Sequence, residues 1–138
     1  MKLTTKGRYG LAVVVYLNKN KGKTMSLISI SESLGLSKLY LEQILSVLKS
    51  HQIVVSTKGP TGGYSIKPEA QLTVYDVLSI LEPSLAPQEP SERTHKTLGL
   101  ILDEQVYQPL SLAVESSLKS IRLNDLSALL NEEPMYYI

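Results

Sequence analysis

The stretch Ser26–Tyr64, SLISISESLGLSKLYLEQILSVLKSHQIVVSTKGPTGGY, decides how this chain is read. Ser26 can cap a helix whose inward stripe is Leu27, Ile30, Ser31 and Leu34, and Ser29 to Glu32 has capping-box spacing. Gly35 accepts a positive φ, so the helix can stop there and turn sharply. Ser37 then caps another helix running to about Ser50, with Leu41, Ile44, Leu45 and Leu48 facing inward. That placement leaves Lys38, Leu39, Tyr40, Glu42, Gln43 and Ser46 pointing outward. Ile53-Val54-Val55 and Tyr64-Ser65-Ile66 are β-prone runs, and the loop Thr57–Gly63 between them, with Pro60 and glycines at 59, 62 and 63, is built to turn. Two short helices across a tight turn, followed by a glycine-rich hairpin, have the sequence shape of a winged helix-turn-helix. The second helix is narrow enough for a DNA major groove, and the hairpin tip can lie along the backbone or minor groove.

Towards the amino terminus, Thr4 and Thr5 can cap a first helix in which Tyr9, Leu11, Ala12, Val15 and Tyr16 form a broad apolar face expected to turn inward. Gly22-Lys23-Thr24 looks like the end of a phosphate-binding loop, but the first glycine of that motif would fall on Leu17 and no strand precedes it. That reading is rejected. Towards the carboxy terminus, Thr73 and Asp76 have capping-box spacing and open a fourth helix carrying Val77, Leu78, Ile80 and Leu81, closed by Glu82-Pro83. Residues 83–93 hold three prolines and no apolar periodicity, the composition of an exposed connection.

Leu98, Ile101, Leu102, Val106, Leu110, Ala113 and Leu118 then recur at intervals that predict one long amphipathic helix from near Thr94 to Lys119. Pro109 must either kink this helix or start a new one at its first position, and a kink is expected. So long a stripe has little to bury against in a small domain. Pairing with its twin in a second subunit would cover it, and folding back on the domain is the alternative. Leu123, Leu126, Leu129 and Leu130 form a last short helix, and Pro134–Ile138 an apolar tail expected to dock. The expected architecture is mainly α with a small β-wing. It comprises a winged helix-turn-helix over residues 1–82, a connection over 83–93, and a dimerisation helix with its tail over 94–138.

The formal charge of the 138 residues is +1, which hides a sharp division. Residues 1–68 carry ten Lys or Arg against Glu32 and Glu42, a net of +8, whereas residues 69–138 carry four basic and eleven acidic side chains, a net of −7. The amino-terminal half is thus suited to a polyanion, and its cations coincide with the helix-turn-helix. With no cysteine, disulfides and thiolate-held metal are excluded. The apolar run Leu11–Leu17 is far shorter than the roughly 20 residues of a membrane span and lacks a small-residue cleavage site after it, so a cytoplasmic protein is expected. His51 and His95 have no paired ligand spacing, and Asp103 and Glu104 read as solvated helix charge, so neither a metal site nor a catalytic set is expected.

Beyond these patterns, the chain resembles the Rrf2 family of bacterial transcription regulators. The resemblance rests on the opening MKLTTKGRYG, on Leu36-Ser37 with Tyr40-Leu41-Glu42-Gln43, on Lys58-Gly59-Pro60 and Gly62-Gly63-Tyr64, and on Leu123-Asn124-Asp125-Leu126. It implies a winged helix-turn-helix homodimer that binds double-stranded DNA at an inverted-repeat operator. Many members of that family hold an iron–sulfur cluster on three cysteines between the fourth and fifth helices. The matching stretch, Pro83–Thr97, has none, and His95 alone cannot replace them. The chain therefore resembles the cluster-free branch, which includes repressors of cysteine metabolism controlled through a complex with cysteine synthase. Its closing Met135-Tyr136-Tyr137-Ile138 is similar to the tail of that group.

Candidate DNA contacts follow from side-chain chemistry together with this resemblance. Gln43 suits adenine N6 and N7, and Glu42 can accept from cytosine N4 or pair with a nearby lysine. Lys38 and Lys58 are expected to hold phosphates. Tyr40 is read either as a phosphate donor or as packing. Thr5, Lys6, Arg8 and Tyr9 would brace the backbone from the first helix, with a core role as the competing reading for Tyr9. Gly59, Gly62 and Gly63 shape the wing, and any of them could offer an amide, while Tyr64 anchors it by packing. The expected function is a sequence-specific regulator of the repressor type. The alternative is an interaction module that docks another protein through the winged helix and the acidic half.

Overall fold

The computed structural model describes residues 2–86 and 95–132. Most of the proline-rich connection and the tail from Pro134 lie outside the described residues. The elements are α1 (Thr5–Lys19), α2 (Leu27–Leu34), α3 (Lys38–Ser50), β1 (Val55–Thr57), β2 (Gly63–Ser65), α4 (Val74–Leu81), a 3₁₀ turn (Pro83–Leu85), α5 (Lys96–Leu102), a π turn (Asp103–Tyr107), α6 (Gln108–Lys119) and α7 (Leu123–Glu132).

Short polar side chains start these helices. Thr4, Ser26 and Ser37 accept the backbone N–H groups of Gly7, Ser29 and Tyr40, at 3.1, 3.1 and 3.2 Å. Ser26 is thus the cap of α2, and the capping-box spacing from Ser29 to Glu32 is not used. At α4 the box is complete: Thr73 N–H donates to Asp76 Oδ2 at 2.8 Å, and Asp76 N–H donates to Thr73 Oγ1 at 3.2 Å. Gly35 ends α2 at φ +67°, which permits the sharp turn into α3. The strands fall two residues later than the apolar run predicts on the first arm. Val54 and Ile66 leave the ladder and enter the core, and Val55, Ser56 and Thr57 pair with Ser65, Tyr64 and Gly63.

The core is formed by Val13, Val14 and Leu17 of α1, Ile30 of α2, the four predicted leucine and isoleucine residues of α3, Val74, Val77, Leu78 and Leu81 of α4, and Leu123 of α7, together with Val54 and Ile66. The buried face of α1 differs from the expected one. Gly7, Gly10, Val13, Val14, Leu17 and Asn18 are buried, while Tyr9 and Ala12 are exposed and Leu11, Val15 and Tyr16 are half-buried. The reason is steric. A Cβ on Gly7 would lie 1.9 Å from Glu82 Oε1, and one on Gly10 would lie 2.2 Å from Leu81 Cδ1. Only the glycine side of α1 can approach α4 this closely.

The long helix is continuous through the expected interruption. Leu102, Asp103, Tyr107 and Gln108 all keep right-handed helical dihedrals. Pro109 has no N–H to give to the preceding turn, and the ladder adjusts by a π turn immediately ahead of it. Leu118 joins the core near the end of this helix. There Lys119 lies 5.0 Å from the Tyr75 ring centroid and 2.8 Å from Glu115, a contact that lowers the carboxyl pKa and raises that of the ammonium.

Helix α7 then returns to α1. The buried Asn18 donates from Nδ2 to Asn124 Oδ1 at 3.1 Å and to Ser127 Oγ at 2.9 Å, and the backbone of Leu123 donates to Leu72 O at 2.9 Å. The Leu-Asn-Asp-Leu segment is thus a core leucine, a polar latch and, through Asp125, a partner for Arg122 at 3.3 Å.

Gly7→Ala tests the contact between α1 and α4. In an exposed helix this change would stabilise by roughly 0.5 to 1 kcal/mol. Here it should instead destabilise by about 1 to 3 kcal/mol, because Glu82 is buried and cannot step aside. Urea denaturation gives the sign, and an unchanged or raised midpoint would refute the close approach.

Candidate nucleic-acid interface

On α3 the sequence pattern and the packing agree. Leu41, Ile44, Leu45 and Leu48 are fully buried, and Lys38, Glu42 and Gln43 are exposed on the far side. Tyr40 is half-buried, its ring edge-on to Tyr9 of α1 with centroids 6.0 Å apart and planes at 87°. This pair joins the start of α3 to the first turns of α1. Tyr9 keeps 44% of its surface exposed, so the core reading does not hold for it.

Helix α1 presents Thr5, Lys6 and Arg8 exposed in its first turns. Their backbone is held from below. Glu82 is buried, and its Oε1 accepts from both the N–H and the hydroxyl of Thr4, at 2.7 and 2.9 Å. From sequence, Glu82 was legible only as a helix end, because a partner 78 positions away leaves no local signal.

The wing is anchored by a feature that periodicity cannot reveal. Met25, just ahead of α2, forms an isolated bridge with Tyr64, each N–H donating to the other's carbonyl at 2.8 Å. A Cβ on Gly63 would sit 2.1 Å from Met25 O, so glycine is required for the chain to pass. Gly62 N–H donates to Gly59 O at 2.9 Å, closing the turn. Its amide is therefore occupied, whereas Gly59 and Lys58 stand exposed at the tip, Gly59 with φ +103°. The structure ties this tip to the segment before α2 rather than to α3.

The ion pairs among the described residues are Lys119–Glu115 and Arg122–Asp125, both in the carboxy-terminal half. Lys6, Arg8, Lys38 and Lys58 have no carboxylate partner there, and neither does Glu42 have a lysine. His51 and His95 serve helix ends: His51 Nδ1 lies 3.0 Å from Val47 O, and His95 Nδ1 is 3.5 Å from the N–H of Leu98.

A helix-turn-helix with an exposed polar face on its second helix, cations without a carboxylate partner among the described residues, and a glycine wing defines a DNA-binding regulator of the winged-helix class. The sequence matches the Rrf2 family, described as an iron-dependent transcriptional regulator, over residues 3–129. It is 35% identical over 144 residues to the transcriptional regulator CymR of Bacillus subtilis, covering 100% of both chains. It is 32% identical to IscR of Sodalis glossinidius, covering 96% of this chain and 81% of that one. The fold is similar to the solved structure of CymR, the global cysteine regulator of B. subtilis, with a TM-score of 0.74 and 34% identity over 94% of this chain and 98% of that one. The chain belongs to the Rrf2 family of transcriptional regulators.

The family description names iron, which a protein holds through thiolate, imidazole or carboxylate donors. The chain has no cysteine, and no group of three or more His, Asp or Glu side chains gathers among the described residues. These donors do not fit a thiolate-held cluster. No helix among the described residues is long and apolar enough to cross a membrane.

Proposed function

We propose that this protein is a homodimeric, sequence-specific repressor that places α3 in the major groove of an inverted-repeat operator and lays the wing along the backbone. The observation that carries this reading is the outer face of α3. Lys38, Glu42 and Gln43 are exposed there with no ion-pair partner among the described residues, and the Tyr9–Tyr40 contact joins α3 to the helix that carries Thr5, Lys6 and Arg8. Gln43 and Glu42 read base edges, Lys38 and Lys58 hold phosphates, and Gly59 with Gly63 sets the shape of the wing. The hydroxyls of Thr5 and Tyr9 brace the backbone. Tyr40 orients Tyr9 and the start of α3, and Gly62 closes the turn.

The second subunit is supported by the long helix. Leu98, Leu100, Ile101, Val106, Tyr107, Leu110 and Leu112 are each 47 to 64% exposed in a single chain. Pairing two such helices covers this surface and places the two reading helices about 34 Å apart, one turn of B-DNA. Residues 1–82 thus act as the DNA-binding unit and 94–138 as the dimerisation unit, in the cytoplasm where the operator lies. With no cysteine-held cluster available, control falls to another input. A protein co-regulator docking at the carboxy-terminal tail is proposed, with cysteine synthase as the first candidate because of the tail's resemblance and the similarity to CymR.

Selecting bound genomic fragments tests the reading directly. An inverted repeat should be recovered, and binding to protein alone, with no duplex retained at low salt, would favour the interaction module instead. On the recovered site, Gln43→Ala should cost about 1 to 3 kcal/mol while leaving random DNA nearly unaffected. Equal losses on both would remove Gln43 as a base reader. Lys58→Ala should weaken all duplexes and reduce the slope of log K against log salt by about two per dimer. An unchanged slope would remove the phosphate contact. The double change Leu98→Glu with Ile101→Glu should shift the sedimenting species from dimer to monomer and lower operator affinity about a hundredfold. A persistent dimer would relocate the interface.

A further inference from the structure

We infer that Leu39 is a specificity-determining residue whose side chain takes the C5-methyl group of a thymine in each operator half-site, a reading that rests on the proposed placement of α3 in the major groove. Leu39 is the most exposed large apolar side chain among the described residues, at 69%. At 100° per residue it lies within about 10° of the point opposite the centre of Leu41, Ile44, Leu45 and Leu48, so it marks the outer pole of α3. It is one turn ahead of Gln43, and Glu42, Gln43 and Ser46 fall within about 60° of it on the same face.

Its surroundings separate it from the other exposed apolar side chains. Most of those lie along α5, α6 and α7, where a second copy is proposed to pack or where α7 ends. Leu39 instead stands among Lys38, Glu42, Gln43 and Ser46, all exposed and polar. Helix formation does not require it, since alanine or a charged residue would serve α3 as well at a solvated position. Tyr40, its neighbour, is engaged with Tyr9.

The chemistry of the groove supplies a partner. The edges of base pairs in the major groove offer hydrogen-bond donors and acceptors and one apolar group, the thymine methyl. The first turns of a recognition helix are those that meet base edges. A leucine at the outer pole therefore selects T·A at its step, and Gln43 one turn further on selects adenine at a neighbouring step. Together they predict an A·T-rich core to each half-site.

The test uses the full-length protein and the duplex recovered by genomic selection, with each thymine of a half-site replaced singly by deoxyuridine. That replacement deletes the methyl group and keeps every hydrogen-bonding group. The wild-type protein should lose about fourfold in affinity at one thymine per half-site, the loss expected for one buried methyl-sized group. In Leu39→Ala, which circular dichroism should show to be folded, the penalty at that thymine should disappear while penalties elsewhere remain. Selective binding with the same deoxyuridine penalties in both proteins would overturn the role of Leu39 alone. Failure to recover any selective duplex would overturn the operator reading itself.

Discussion

Glu82 sits where Gly7 has no side chain, and this contact sets where the other elements can go. A buried carboxylate is costly unless it is hydrogen-bonded, and Glu82 Oε1 meets that requirement with the N–H and hydroxyl of Thr4. Its other oxygen has no partner among the described residues. The bond joins the end of α4 to the cap of α1, 78 positions earlier in the chain. With Gly10 beside Leu81, it draws the two helices together along their smallest residues. Helix α1 then serves as the hub against which α2, α3, α4, α7 and β2 all pack.

The same choice of face decides what remains outside. Because the glycine side of α1 turns to α4, Leu11, Val15 and Tyr16 turn away and form an open apolar groove with Leu34, Leu126 and Leu129. The exposed apolar residues of α5 and α6 add a second uncovered surface. Arg8 also lines the apolar groove, so one of the candidate cations borders apolar surface. Asn18 matters here as a latch. Its two bonds to Asn124 and Ser127 hold α7 against α1.

Features set by near neighbours were legible in advance. The stripe of α3, the caps at Ser26, Ser37 and Thr73, and the stop at Gly35 each depend on residues within one or two turns, and each is found where the spacing puts it. Most candidate contacts are likewise exposed as expected, because the outer face of α3 is whatever its core stripe leaves over. The inward face of α1 was read wrongly for a definite reason. Residues 11–17 are apolar all round, so periodicity has no contrast to work with, and the two glycines that select the face carry no hydrophobic signal. The Met25–Tyr64 bridge and the Thr4–Glu82 bonds are long-range and partly backbone, and neither leaves a trace in local pattern.

The sequence by itself determined the class of fold, the family, the helix α3 with its exposed side chains, and the absence of thiolate ligands, because these follow from local spacing, residue chemistry and composition. Only the tertiary structure decided which side of α1 is core, how the wing is tied down, how the helix passes Pro109, and that α7 closes on α1. Those outcomes turn on steric room between distant segments. A missing Cβ at Gly7 or Gly63 matters only once another chain segment arrives to occupy the space.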